Sequence, residues 1–186
     1  MNNLRQQYNE KVVPALKEKF GYKNIHQVPT VEKVVLNVGV GDHLKDNDYF
    51  EAVSKTLARI SGQKPVLTKA KKSISNFKIR EGMVVGVSVT VRKDRMWDFI
   101  EKLVKVTLPR VRDFRGITSK SFDKQGNYCL GFKEYLPFPE INLDEVEQLH
   151  GLEVVITTTA TNKAEGMALL TELGFPFKEN MKNDNQ

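Results

Sequence analysis

The chain has 186 residues, 40% of them hydrophobic, a formal charge of +6 and a pI near 9.3. That excludes general disorder and predicts one folded domain over residues 1–178 with a polar tail at 179–186. No apolar run reaches the roughly 18 residues of a membrane span. Met1-Asn2-Asn3-Leu4-Arg5 lacks the apolar block of a secretory signal, and a single cysteine, Cys129, suits a reducing cytosol.

Asn3 to Phe20 predicts a helix, because Leu4, Tyr8, Val12, Leu16 and Phe20 recur every four residues and Gly21 stops it. Pro14 lies inside it and should bend or divide it. Gly21 to Thr30 reads as a connector. Val31 to Val38 reads as a strand, with Val34, Leu36 and Val38 on one face and Lys33, Val35 and Asn37 on the other. The paired glycines of Gly39-Val40-Gly41-Asp42 predict a tight turn or a bulge. Asn47 to Ser61 is the clearest amphipathic helix, with Phe50, Val53, Leu57 and Ile60 at helical spacing and Gly62 at its end.

A short strand around Pro65 to Thr68 leads into a basic segment carrying Lys69, Lys71, Lys72, Lys78 and Arg80, with no acid before Glu81. Within it Ser73-Ile74-Ser75-Asn76-Phe77 has no clean period, so a flexible cationic loop tipped by Phe77 is expected. From Met83 to Arg92 the pattern alternates. Val85, Val87, Val89 and Val91 face one way; Val84, Gly86, Ser88, Thr90 and Arg92 face the other.

Asp94 is the expected N-cap of a second amphipathic helix, with Met96, Phe99, Ile100, Leu103 and Val104 inward and Trp97 packed on its flank. Pro109 opens a basic turn, Pro-Arg-Val-Arg-Asp-Phe-Arg-Gly. Ser119 to Phe122 and Asn127 to Glu134 flank Asp123-Lys124-Gln125-Gly126, a hairpin signal. Phe138-Pro139-Glu140-Ile141 is a stiff connector, Asn142 to Leu149 allows two turns of helix, and Leu152 to Ala160 is strand-like. Asn162 with Glu165 makes a capping box for a last helix through Leu173, closed by Gly174 and Pro176.

Helices alternating with half-polar strands predict an α+β fold: a two-layer domain, largely antiparallel sheet, helices on one face and an open face on the other. The open face would display Lys33, Asn37, Ser88, Thr90 and Arg92. These are short hydrogen-bonding groups and cations, suited to sugar hydroxyls, phosphates and base edges of RNA. Charge is segregated as well. Eight basic residues and no acid lie between Ala52 and Arg80, and six more lie between Lys102 and Lys120 against Asp113 alone. Between Glu134 and Glu165 seven acids stand against Lys163. Such polarity predicts RNA on one side and a different partner on another.

Catalytic signatures are lacking. Gly39-Val40-Gly41 has neither the third glycine of a dinucleotide fingerprint nor the Lys-Ser/Thr ending of a P-loop. His26, His43 and His150 are far apart, none at a metal spacing from Cys129. Glu140, Asp144 and Glu145 read as a solvated face, and no Gly-x-Ser-x-Gly occurs. An enzyme is not expected, nor a cofactor or metal.

Gly62-Gln-Lys-Pro, Thr68-Lys-Ala-Lys-Lys-Ser-Ile-Ser-Asn-Phe-Lys-Ile-Arg-Glu-Gly82, Asp94-Arg-Met-Trp97, Pro109-Arg-Val-Arg-Asp-Phe-Arg-Gly116, Ser121-Phe-Asp, Gly126-Asn-Tyr128, Phe138-Pro-Glu-Ile141 and Gly174-Phe-Pro-Phe177 together resemble bacterial large-subunit ribosomal protein five. The resemblance runs from about Tyr8 to Lys178. It implies a cytoplasmic, ribosome-bound protein that attaches 5S rRNA in the central protuberance beside large-subunit rRNA. It carries the 5S rRNA surface onto Lys33, Asn37, Gln63, Thr90 and Arg92, with Ser88 on the same face. It further implies that the basic loop reaches P-site tRNA through Lys69, Lys71, Lys72, Ser73, Asn76, Phe77, Lys78 and Arg80. Near Arg110, Arg112 and Arg115 it implies a bridge to small-subunit ribosomal protein thirteen. Cys129 and Leu136-Pro137 depart from the family's pattern. The alternative is a non-ribosomal RNA-binding assembly or regulatory factor using a similar sheet.

Overall fold

The computed structural model describes residues 3–43, 46–142 and 148–178. Most of the helix expected at residues 142–149, with Asp144 and Glu145, and the tail at 179–186 therefore lie outside the described residues.

Five strands form one sheet: β1 (Val31–Gly39), β2 (Val66–Lys69), β3 (Val84–Val91), β4 (Tyr128–Phe132) and β5 (Leu152–Thr158). Their order is β2-β3-β1-β5-β4, and each neighbouring pair is antiparallel. The alternation read from the sequence sets the faces: Val34, Leu36, Val38, Val87, Val89, Val91, Val154 and Ile156 are all buried. Val31 is buried too, although it is an odd number of residues from Val34. A register shift between Val31 and Lys33 opposite β5 absorbs the extra residue, so both valines point inward.

The helical layer covers this apolar face. Its elements are α1 (Asn3–Gln7), α2 (Val13–Phe20), α3 (Asn47–Ser61), α4 (Lys93–Lys102), α5 (Leu108–Arg110) and α6 (Lys163–Glu172). Leu57 and Ile60 of α3, Phe99 and Ile100 of α4, and Leu169 and Leu170 of α6 are almost inaccessible. Each such side chain contributes about 1.5–3 kcal/mol by leaving water. Trp97 is buried in the same layer, its ring 5.3 Å from that of Tyr8, in the packing role expected of it.

Two prolines are accommodated by one device. A π turn (Tyr8–Val12) joins α1 to α2 ahead of Pro14, and another (Leu103–Thr107) joins α4 to α5 ahead of Pro109. Proline clashes with the carbonyl four residues back and lacks an N–H, and the wider turn before it relieves the clash while the helix continues. The basic turn therefore starts at Val111, after Pro109 has closed a last helical turn.

Several local expectations shift. Ser119 to Phe122 is not a strand arm: Ser119–Ser121 form a 3-10 turn, and only Phe122 pairs, with Tyr128. The hairpin turn itself stands, because the Asp123 carboxylate accepts from the Gln125 and Asn127 backbone N–H groups at 2.9 and 2.8 Å. The N-cap of α4 is Arg92 rather than Asp94, and Lys93 takes a left-handed φ of 56°. Asn162 caps α6 through the Glu165 N–H, but the Glu165 carboxylate reaches back to Thr161 instead of Asn162. At Gly166 a Cβ would stand 2.2 Å from the carbonyl oxygen of Gly126, so the hairpin turn and α6 touch backbone to backbone.

Candidate nucleic-acid interface

Opposite the helices the sheet leaves a face of partly and fully exposed residues. Cross-strand register arranges it in rows. Ser88 of β3 lies opposite Asn37 of β1, which lies opposite Glu153 of β5. One row along, Thr90 faces Val35, and Val35 faces Val155. Beyond that Lys33 faces Thr157. Thus Lys33, Asn37, Ser88 and Thr90 share one face, as the alternation predicts, and Arg92 follows at the end of β3. Arg92 also lies 3.5 Å from Glu32 with both side chains about half exposed, a contact worth under about 1 kcal/mol that a phosphate could replace.

Gln63 is not on the sheet. It follows Gly62, whose φ of 66° ends α3, and its N–H donates to the Ser61 hydroxyl at 3.2 Å. Because β2 runs antiparallel to β3, the 62–65 connector sits toward the Thr90 end of β3. That places Gln63 at the rim.

The segment at residues 69–82 differs from the expected flexible loop. It prolongs β2 and β3 as a narrow hairpin with its own hydrogen bonds. The Ala70 N–H donates to the Met83 carbonyl at 2.8 Å, the Gly82 N–H to Ala70 at 2.9 Å, and Ile74 and Ile79 exchange both bonds at 2.9 and 3.1 Å. Ser75–Phe77 make a 3-10 turn at the tip, and Lys78 reverses the chain with a φ of 55°. A left-handed lysine costs roughly 1–2 kcal/mol that glycine would avoid, so the tip keeps a cation against its backbone preference. Lys69, Lys71, Lys72, Ser73, Asn76, Lys78 and Arg80 are exposed, and Phe77 is 69% exposed.

Arg110, the last residue of α5, and Arg112 and Arg115 on the turn after it belong to a third region. Their turn ends at Ile117, whose N–H donates to the Pro176 carbonyl at 2.8 Å and whose carbonyl accepts from Lys178 at 2.9 Å. Phe122, Tyr128 and Phe177 cluster beneath, with ring centroids 4.6–5.6 Å apart. The arginines thus sit on the β4 side of the sheet, and the hairpin springs from the β2 edge.

Two residues of the open face carry no signal in the sequence. The Asn37 side-chain amide donates to one Glu153 oxygen at 3.2 Å, and the Cys129 thiol donates to the other at 3.1 Å. Burial, with the Glu153 carboxylate adding to it, pushes the Cys129 thiol up to about 11. Glu153 could have been found only by knowing that β1 and β4 both pair with β5.

The match to known proteins extends over this whole arrangement. Residues 24–80 match the family described as Ribosomal protein L5, and residues 84–177 match the C-terminus of the same ribosomal family. The two segments interleave in one sheet, the first supplying β1 and β2 and the second β3, β4 and β5. Large ribosomal subunit protein uL5 of Desulfatibacillum aliphaticivorans is 56% identical over 96% of this chain and 100% of its own length. The protein of that name from Caldanaerobacter subterraneus subsp. tengcongensis is 55% identical over 95% of this chain and 99% of its own. That from Streptococcus agalactiae is 54% identical over 95% and 98%. With both family segments matched and relatives this similar from end to end, the chain belongs to the ribosomal protein L5 family, structural and non-enzymatic proteins of the large ribosomal subunit.

Proposed function

We propose that the chain holds 5S rRNA on its open sheet face, so attaching that RNA in the central protuberance, and reaches P-site tRNA with the hairpin at residues 69–82. Family membership makes it a constituent of the large ribosomal subunit in the bacterial cytoplasm, with the ribosome and its RNA as partners. The proposal concerns which surface does which task.

One observation carries it: Lys33, Asn37, Ser88 and Thr90 share the sheet face that the helical layer leaves open. Short side chains on paired strands are pre-positioned, so hydrogen bonds to sugars and base edges form without ordering long chains first. Arg92 and Lys33 add phosphate contacts, and Gln63 adds one from the rim. Each phosphate neutralised gives a salt slope of about −0.7 to −0.9. The hairpin carries the exposed cations Lys71, Lys72 and Lys78 together with an exposed Phe77 ring at its tip, the combination that suits a nucleic-acid surface with stacking. Arg110 at the end of α5 and Arg112 and Arg115 on the anchored turn after it are exposed, and we assign to this region the bridge toward small-subunit ribosomal protein thirteen.

The test is a titration of the purified protein against 5S rRNA, with tRNA and an unrelated RNA of equal length as competitors, at two salt concentrations. Binding that survives competition at the higher salt is the expected result. If all three RNAs bind alike and release together, only generic cationic attraction remains.

A further inference from the structure

The open face is graded along its strands. Lys33 and Arg92 mark one end. At the other end, beyond Asn37, lies a shallow depression of about 310 Å³, at the small end of the range for ligand sites. Backbone makes much of its lining, because Gly39, Gly131 and Gly151 contribute to it beside Asn37 and Glu153. At Gly39 and Gly131 a Cβ would meet no atom within 4 Å, so side chains are missing where space would admit them. A flat group can therefore approach the peptide planes closely.

Glu153 is an exposed carboxylate beside this depression, on a face otherwise suited to RNA. It is fixed from both neighbouring strands, by Asn37 of β1 and Cys129 of β4. A carboxylate has about four lone-pair positions, so two acceptor positions remain after these bonds. Phosphate is repelled there, and only a donor group of the RNA fits. Guanine alone among the four bases presents two adjacent donors, N1–H and the N2 amino group. Adenine and cytosine place an amino donor beside a ring-nitrogen acceptor, and the uracil N3–H lies between two carbonyls. An isolated sugar hydroxyl satisfies one oxygen and leaves the glycine-lined space unused.

From these contacts we infer that Glu153 reads the Watson–Crick edge of an unpaired guanine lying in the glycine-lined depression, while Lys33 and Arg92 hold phosphates at the opposite end. The inference rests on the proposal that the open face carries 5S rRNA. It makes Glu153 the base-selecting residue of that face, held in position by Asn37 and Cys129.

Kethoxal, which reacts at N1 and N2 of unpaired guanines, tests this on 5S rRNA with the full-length protein. The wild type should protect one such guanine. Glu153→Gln should restore its reactivity and weaken binding roughly 10- to 100-fold, as expected for losing hydrogen bonds to a charged acceptor. Glu153→Asp should keep part of the protection. Replacing the protected guanine by inosine removes the N2 amino group, and should weaken binding to the wild type but add nothing to the Glu153→Gln loss. Inosine probes the contact with unaltered protein, so the test survives a poorly folding variant. A bound 5S rRNA with no protected guanine, or with protection unchanged by Glu153→Gln, overturns the base-reading role and leaves the open-face proposal standing. Failure of the wild type to bind 5S rRNA overturns both.

Discussion

On the sheet face Asn37, Ser88 and Thr90 are short side chains on strands paired to neighbours on both sides. On the hairpin Lys71, Lys72 and Lys78 are long side chains on a two-stranded projection that is exposed for nearly its whole length. Fixing a lysine costs up to about 1.5–2 kcal/mol of rotamer freedom, whereas a serine or asparagine on a paired strand loses less. The first surface can hold a partner in one register. The second tolerates partners in several. What separates the two surfaces under the proposed division of tasks is how much freedom their side chains still have to lose.

The strongest way to break this contrast is through the sheet's buried side. Leu36→Ala should cost about 2–5 kcal/mol of stability and abolish 5S rRNA binding together with the fold. Replacing residues 71–81 by a short Gly-Ser link should leave the thermal midpoint nearly unchanged. Equal losses of midpoint in the two variants would mean that the hairpin is not a separable unit. Next in size, Asn37→Ala or Thr90→Ala should weaken 5S rRNA binding by about 1–3 kcal/mol where a partner is left unpaired, without altering tRNA binding. Unchanged 5S affinity in both would remove the sheet face from the interface.

Replacing Lys71, Lys72 and Lys78 by Gln should lower the salt slope of tRNA binding by about 2–3 and leave the 5S slope nearly intact. A collapse of 5S binding would reverse the division of labour. The smallest effect concerns Cys129. With its thiol pushed up to about 11, chiefly by burial and further by Glu153, alkylation at pH 8 should be slow. Glu153→Gln removes the carboxylate contribution, lowers the thiol's pKa and should speed alkylation only modestly, because burial persists. No change in rate would argue that Cys129 and Glu153 are not in contact in solution.

Where one residue's neighbours in sequence decide its fate, the sequence is readable. The bounds of α3 follow from Phe50, Val53, Leu57 and Ile60 and the left-handed Gly62, and the faces of β3 follow from Val87, Val89 and Val91, although Val85, expected inward with them, is only partly buried and Val84 packs on the core instead. The placement of Lys33, Asn37, Ser88 and Thr90 on one face comes from the same period. What sequence could not supply is register. The bulge that turns Val31 inward exists only relative to β5, and the contact of Asn37 with Glu153 joins residues 116 positions apart. The hairpin's ladder is hidden because Ile74 and Ile79 face each other across the tip, residues 75–78, of a lysine-rich segment without alternating neighbours. Asp94 has the residue type of a cap, yet the left-handed Lys93 moves the helix start by a step no residue preference announces.

The π turn ahead of Pro14 has a further effect, on the phase of the N-terminal helix. Leu4, Tyr8, Val12 and Leu16 are all buried, yet they are spaced by four residues, not by 3.6. In a regular α-helix each such step carries the side chain about 40° around the axis, so over three steps the set would drift by about 120°. The wider turn at Tyr8–Val12 unwinds that drift and keeps one continuous seam against the fold. Deleting one residue from this turn would let a regular α-helix run through with Leu16 eleven positions after Leu4, only about 20° off the seam, so the wider turn is what absorbs the surplus residue. In this stretch the count of residues is as much a part of the message as their chemistry.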